Sequence, residues 1–243
     1  MGKVSNLATR VYFDEFDISG AINATDLSFE QERIPVACFS DSGPRRLVGN
    51  YDHKATLNGF FDGASSGFDP QAFIDLNTDE DHYLTQLFGA NAIGSKGYDT
   101  ICRLMEQPRS GGVGGAVLLN LSVEGSRGAV RCTVLCNTAI TVTGNQSGQN
   151  MGATTAGQTF QVIARVLSAA GSGSIAFAVQ ESSDGGADPY STISGLTGTF
   201  NGLGANRLTT TAATEAWKRV TITTFTGFTS VTLLVTAGVV AGT

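Results

Sequence analysis

Along most of this chain hydrophobic and polar positions alternate with a period of two, the spacing of a strand with one covered and one open face. The clearest case is the end of the run VYFDEFDISGAINATDLSFEQE. There Asp26, Ser28, Glu30 and Glu32 fall on one face and Leu27 and Phe29 on the other. Thr9 to Phe13 predicts a strand, Asp14 to Gly20 a turn-rich corner, and Ile34 to Phe39 another apolar-leaning strand. Lys54 to Phe61 predicts a strand that stops at the turn dipeptide Asp62-Gly63. Ser40 to Asp52, SDSGPRRLVGNYD, reads as a polar connection containing Gly43, Pro44 and Gly49. It is longer than a hairpin requires, and long ordered loops usually carry function.

Helical spacing is confined to two places. Asp79 to Phe88 predicts the main helix: Thr78 caps it, Asp81 takes the capping-box position, and Asp79, Glu80 and Asp81 complement the positive helix start. Tyr83, Leu84, Leu87 and Phe88 form its apolar stripe and Gly89 its stop. A shorter turn of helix is predicted at Pro70 to Leu76, with Asp69 as cap.

Strands return from Thr100 to Met105, before a glycine-rich break at Gly111 to Gly115. Val117 to Glu124 and Ala129 to Cys136 flank Gly125-Ser126-Arg127-Gly128 with the spacing of a hairpin. Within the former, Asn120, Ser122 and Glu124 alternate with Leu119, Leu121 and Val123. Gly144 to Gln158 is uncharged and rich in Gly, Ser, Thr, Asn and Gln, the composition of a linker. Beyond it, Phe160 to Ser168, Ser174 to Glu181, Asn206 to Thr211, Trp217 to Thr224 and Ser230 to Thr236 predict a small antiparallel sandwich. The expected division is therefore 1–144, a linker at 145–158, and a β-sandwich at 159–243.

Charge sharpens this division. The net charge is −6, and residues 1–140 hold 17 acidic and 11 basic side chains, whereas residues 141–243 hold four of each. The acid excess argues against a nucleic-acid grip, which needs clustered Lys and Arg. A row of carboxylates on one sheet face costs self-repulsion. It leaves two readings: the solvated side of an ordinary sheet, or a lining that faces something negatively charged and must not hold it. No apolar leader opens the chain and no apolar run approaches the roughly 18 residues of a membrane helix. Cys132 and Cys136, four apart in a strand-like run, stand about 13 Å from each other at ~3.3 Å per residue, beyond disulfide reach. With Cys38 and Cys102 they read as thiols of a reducing compartment.

Catalytic parts are scarce. His53 and His82 neighbour no nucleophile motif, and HExxH and P-loop patterns are absent. Asp184 and Asp188 flank glycines but lack calcium-loop spacing, so they read as turn residues. Trp217 sits among alternating residues, as core or rim packing or, less simply, as a sugar-stacking platform, and a glycan-binding role would involve Trp217 or Tyr190. No cofactor, metal or catalytic residue is expected. The rival functional classes are a carbohydrate- or receptor-binding β-sandwich module, a glycoside hydrolase on a β-scaffold, and a capsid decoration or tail-completion protein.

The features occur in a set order: VYFDEFDISGAINATDLSFEQE, the loop SDSGPRRLVGNYD, the segment LNGFFDG, then DEDHYLTQLFGA. Downstream come LLNLSVEGSRGAVRCTVLCNTAITVTGNQSGQNMGA and FQVIARVLSAAGSGSIAFAVQESSDG. This resembles the major tail tube proteins of long-tailed, siphovirus-like bacteriophages over nearly the whole chain. A departure is the DEFD turn, where relatives commonly carry a glycine before the second acid.

The resemblance implies an all-β subunit with one helix: two packed antiparallel sheets, joined between subunits into an inner β-barrel, plus the C-terminal β-sandwich. Residues 1–144 would form the tail tube domain. Hexameric rings would stack into a tube through which the genome is ejected, in a virion tail assembled in the bacterial host cytoplasm. The implied partners are further copies of the chain, a tape measure protein, tail terminator and distal tail proteins, and genomic DNA passing without specific binding. Carried over by position, Asp26, Ser28, Glu30, Glu32 and Glu124 would line the lumen. Asp41, Pro44, Arg45 and Arg46 would reach the adjacent ring, and the stripe of Tyr83, Leu84, Leu87 and Phe88 would pack the helix under the sheets.

Overall fold

The period-two pattern is realised as antiparallel strand almost throughout. The computed structural model of the chain describes residues 9–36, 46–60, 68–76, 78–111 and 117–240. The first part contains β1 (Arg10–Phe13), β2 (Phe16–Asp17), β3 (Ile22–Pro35), β4 (Arg46–Phe60), α1 (Phe68–Asp75), β5 (His82–Leu87) and β6 (Lys96–Glu106). Then follow β7 (Arg109–Ser110), β8 (Leu118–Gly125), β9 (Val130–Ile140), β10 (Gly144–Asn145) and β11 (Gln149–Asn150). The last part is β12 (Phe160–Ser182), β13 (Ser191–Phe200), β14 (Gly204–Thr210) and β15 (Trp217–Val239). The fold is all-β with one short helix, and no helix among the described residues is long and apolar enough to cross a membrane.

Two compact units emerge, and neither follows a cut at 145–158. One comprises residues 1–19, 83–100 and 129–243; the other comprises residues 20–82 and 101–128. The segment expected as a linker is fastened within the first unit: β10 pairs with β15 at Gly144↔Ile222, and β11 at Asn150↔Trp217. Thr154 and Thr214 join by backbone bonds and a 2.8 Å hydroxyl contact.

In the first unit the strand order is β13-β12-β15-β9-β6-β5-β1-β2, with β14 also on β12 and residues 96–99 of β6 against β9. Its organising feature is a pair of long strands, where the sequence predicts four short ones. β12 and β15 run antiparallel from Phe160↔Val239 to Ser182↔Trp217, with register shifts near Gly171 and Gly173. Gly171 and Gly227 take φ of 93° and 79°, and a Cβ on Gly173 would lie 2.0 Å from the Thr226 carbonyl oxygen. Glycine here marks a bulge that bends a continuous strand, not a turn that ends one. Both halves of β12 supply one core: Phe160, Val162 and Val166 from the first, Ile175, Phe177 and Val179 from the second.

The segment expected as the main helix is β5. His82 to Leu87 pairs with β1 from Phe13↔Leu84 to Arg10↔Leu87, and Leu84, Thr85, Gln86 and Leu87 are all buried. A strand covered on both faces loses its alternation, so apolar side chains at 83, 84, 87 and 88 imitate a helical stripe. Leu84 and Leu87 therefore pack from a strand, not a helix. Tyr83 holds Asp14 by two bonds, its N–H to Oδ1 at 2.8 Å and its carbonyl from the Asp14 N–H at 2.9 Å. Phe88 stands edge-on to Tyr98, with ring centroids 6.2 Å apart.

In the second unit β3 pairs with β4, β4 with β8, and β8 with residues 102–106 of β6 and with β7. The helix of this unit is α1, FDPQAFID, close to the shorter turn predicted at 70–76. Pro70 lies in the first turn, where its missing N–H goes unneeded. Thr78 closes the helix end, its hydroxyl donating to the Asp75 carbonyl at 2.9 Å. The residues around Gly125–Gly128 form no hairpin: β8 pairs with β4, β6 and β7, and β9 with β6 and β15.

Candidate acidic sheet face

Three strands assemble the candidate site. Cross-strand partners share a face, and the register places Asp26 beside Thr56 and Ser122, Ser28 beside Lys54 and Glu124, and Glu30 beside Asp52. The alternation of DLSFE thus survives in the fold, and Glu124 joins the same face through β4. Asp26 and Glu30 are exposed and Ser28 half-buried. Glu32 is on β3 where the register shifts, between the Gln31↔Tyr51 and Arg33↔Val48 pairs.

Two residues that sequence reasoning missed complete the face. Asp52 adds a carboxylate, and Lys54 brings a cation, its Nζ 2.8 Å from Glu124 Oε1. The hydrogen bond and charge of Glu124, with smaller contributions from Asp52 and Glu30, hold the Lys54 ammonium above its ordinary pKa. The available signal was the alternation Asp52, Lys54, Thr56, Asn58 against His53, Ala55, Leu57. The strand after an acidic strand contributes to the same face. Arg103 on β6 stands opposite Glu124 and joins the face, and Asp26, Glu30, Asp52 and Glu124 against Lys54 and Arg103 leave it negative. Near its β6 side, Arg103 pairs with Asp79, and Arg127 Nε lies 3.0 Å from Asp81 Oδ2. Burial opposes ionisation of Asp81, but hydrogen bonds from Ser126 and Arg127 hold its carboxyl below the usual range. Asp79 and Asp81, expected at a helix start, serve ion pairs instead.

The underside explains why the strands hold their phase. Ala55, Leu57, Leu121 and Val123 are buried there, in register with Leu27 and Leu104. His53 is buried among them, its Nε2 without a hydrogen-bond partner among the described residues. A Cβ on Gly125 would lie 2.2 Å from the His53 ring, so glycine makes room for the imidazole. Burial pushes the His53 pKa down, against the Asp52 charge and a backbone hydrogen bond at Ile101.

Cover fails toward the edge. Among the described residues β3 pairs only with β4, which leaves the other edge of a 14-residue strand open. Phe29 and Ile34 on it are 37% and 43% exposed.

The other predicted residues fall elsewhere. Asp41, Pro44 and Arg45 lie outside the described residues. Arg46, expected in the polar loop, begins β4 opposite Pro35, because β3 runs on to Pro35 and the ladder follows it. Cys102, Cys132 and Cys136 are buried, and burial pushes the Cys136 thiol up to about 12. The aromatic pair of the sugar-binding reading is partly occupied. The Arg219 guanidinium lies 3.9 Å from the Tyr190 ring centroid, and a Cβ on Gly185 would come within 2.6 Å of the Trp217 indole. Asp184 Oδ1 accepts the N–H groups of Gly186 and Asp188, both at 2.9 Å, which is turn chemistry.

No family model matches the chain, and no curated protein matches it. Solved structures similar to it include a chain of the virion of a native gene transfer agent particle, at 15% identity and a TM-score of 0.40, covering 54% of this chain and 98% of that one. The SPP1 tail tube matches at 11% identity and a TM-score of 0.43, over 53% of this chain and 78% of that one. The SPP1 Dit protein, a paradigm of hub adsorption apparatus in phages that infect Gram-positive hosts, matches at 10% identity and a TM-score of 0.34, over 96% of this chain and 99% of that one.

Proposed function

We propose that this chain is a structural subunit of a bacteriophage tail, which closes into hexameric rings that stack as a conduit for genome ejection. The observation that carries the reading is the union, across β3, β4 and β8, of an acidic face with a long open edge. An open edge of this length is a template for pairing, and closing a sheet into a barrel removes it. With β3 paired to the next subunit, Phe29 and Ile34 lose their exposure. The acidic row then repeats around the ring, where it repels phosphates and lets a duplex slide. The sequence resemblance supplies the ring and the tube.

On this reading Asp26, Ser28, Glu30, Glu32 and Glu124 line the lumen. Asp41, Pro44, Arg45 and Arg46 form the contact to the adjacent ring, where mixed charge sets register more than affinity. The tape measure protein, the tail terminator and the distal tail protein are the implied partners, and the chain carries out no catalytic step.

Electron micrographs of the purified full chain test the proposal. Rings or tubes with a hole wide enough for duplex DNA are expected, and monomers at every concentration and salt would overturn it. The double variant Arg45→Glu/Arg46→Glu is expected to keep rings and lose tubes; unchanged tubes remove the inter-ring assignment.

A further inference from the structure

The first unit holds a cavity of about 360 Å³ whose lining joins two cations to an apolar body. Lys96 and Arg131 line it together with Thr133, Met151, Phe160 and Val239. The register sets the cations: Lys96 pairs with Thr133 and Tyr98 with Arg131, so Lys96 and Arg131 occupy diagonal positions on one face. Lys96 Nζ donates to Thr133 Oγ1 at 2.6 Å, which orients the ammonium. No carboxylate among the described residues lies within ion-pair distance of either cation. Like charges at such positions repel, and burial together with Arg131 holds the Lys96 pKa below its ordinary value. Elsewhere in the chain Lys54, Arg103 and Arg127 each have an acid partner.

We propose that this cavity binds a carboxylate carried on a short apolar body. The carboxylate is shared by Arg131, whose planar fork suits it, and by the pre-oriented Lys96. The body lies against Met151, Phe160 and Val239. The volume falls within the range of small-ligand pockets and suits a chain of about eight carbons or two to three residues of a peptide end. The same chemistry comes from two sources, an aliphatic monocarboxylate or the free C-terminus of a partner polypeptide. The site lies outside the acidic sheet face and does not depend on the tail reading.

Isothermal titration of the full chain with octanoate, octanol, inorganic phosphate, and one apolar tetrapeptide with either a free or an amidated C-terminus tests the proposal. Saturable binding of octanoate or of the free-carboxyl peptide is expected, with octanol, phosphate and the amidated peptide at least about tenfold weaker. Whichever of the two carboxylates binds tighter identifies the source. Arg131→Gln is expected to weaken the tighter ligand by about tenfold or more, and Arg131→Lys by less. Equal binding of octanoate and octanol, no binding of either carboxylate, or affinity unchanged in both Arg131→Gln and Lys96→Gln would overturn the proposal. Both variants change exposed positions, so an unchanged thermal unfolding profile separates lost binding from lost fold.

Discussion

β12 and β15 in the first unit hide apolar side chains over most of their length, and residues from both halves of each meet in one core. In the second unit β4 from Asp52 onward and β8 bury alternate residues, and none of the described side chains of β3 is buried. The exposed large apolar side chains divide accordingly. Phe29, Ile34, Phe60, Phe73, Ile74, Met105, Val117 and Leu118 belong to the second unit; Phe88, Val142 and Leu203 belong to the first. Fragments of exposed apolar surface are ordinary when scattered, but an open edge and a charged row beside them are not. The contrast is one of cover: β12 and β15 are paired along both edges and share one core, whereas β3 is paired along one edge among the described residues and leaves Phe29 and Ile34 exposed.

The largest expected effect tests the closed core. Phe177 is buried and stacks on Phe200 with centroids 6.1 Å apart at 11°. Phe177→Ala is expected to cost about 3–5 kcal/mol, as truncations of packed aromatics do. Urea unfolding followed by near-UV circular dichroism measures it. A loss below about 1 kcal/mol would mean that the bent strands do not close on a single core, and the comparison would fail on its first side.

Gly125→Ala probes the covered underside of the second unit. The added methyl would meet the His53 ring at 2.2 Å, so ring or strand must shift, at a cost of about 1–3 kcal/mol typical of overpacking. The double variant Gly125→Ala/His53→Ala is expected to recover part of that loss. If the two changes add without coupling, the imidazole does not fill the space that Gly125 leaves.

Acid tests the same place more gently. Because burial lowers the His53 pKa, the folded protein takes up the proton less readily than the unfolded chain. The stability that depends on neutral His53 is complete above about pH 6.5 and declines as pH falls below it toward the depressed folded value. Between pH 7.5 and 5, unfolding midpoints of the wild type are expected to fall more than those of His53→Leu. Parallel slopes would show the underside open to water, which would make both units alike in burial only by sequence pattern.

What could be read without coordinates follows the same division. The acidic strand was legible because alternate side chains of a strand fall on opposite faces, so Asp26, Ser28 and Glu30 separate from Leu27 and Phe29 in the sequence itself. β5 was not legible: burial on both faces erases alternation, and Tyr83, Leu84, Leu87 and Phe88 fell by accident into helical spacing beside a run of acids. The predicted strands break between Ser168 and Ser174 and between Thr224 and Ser230, around Gly171, Gly173 and Gly227, because glycine serves bulges and turns alike, and only the cross-strand partner tells which. Lys54 was missed for a related reason. Its place in the acidic face depends on the register Ser28↔Lys54↔Glu124, which no single strand records.

Lys54 therefore gives the smallest effect and the sharpest test of what the acidic face is for. The Lys54–Glu124 pair is short, at 2.8 Å, but both side chains are about half exposed, so solvent and salt screen it. Lys54→Gln is expected to leave the thermal midpoint unchanged within error at low and at high salt, since the apolar underside holds the strands in phase. The face should nonetheless become more negative by one charge per subunit, and any assembly that brings many copies of it together should feel that charge many times over. If rings form, their stability in Lys54→Gln is expected to fall at low ionic strength and to return as salt is added, while the isolated chain shows no such dependence. A midpoint that drops in the isolated chain would show that the charge network holds the second unit together, and its acidic row would then be a structural necessity, not a surface kept free for use.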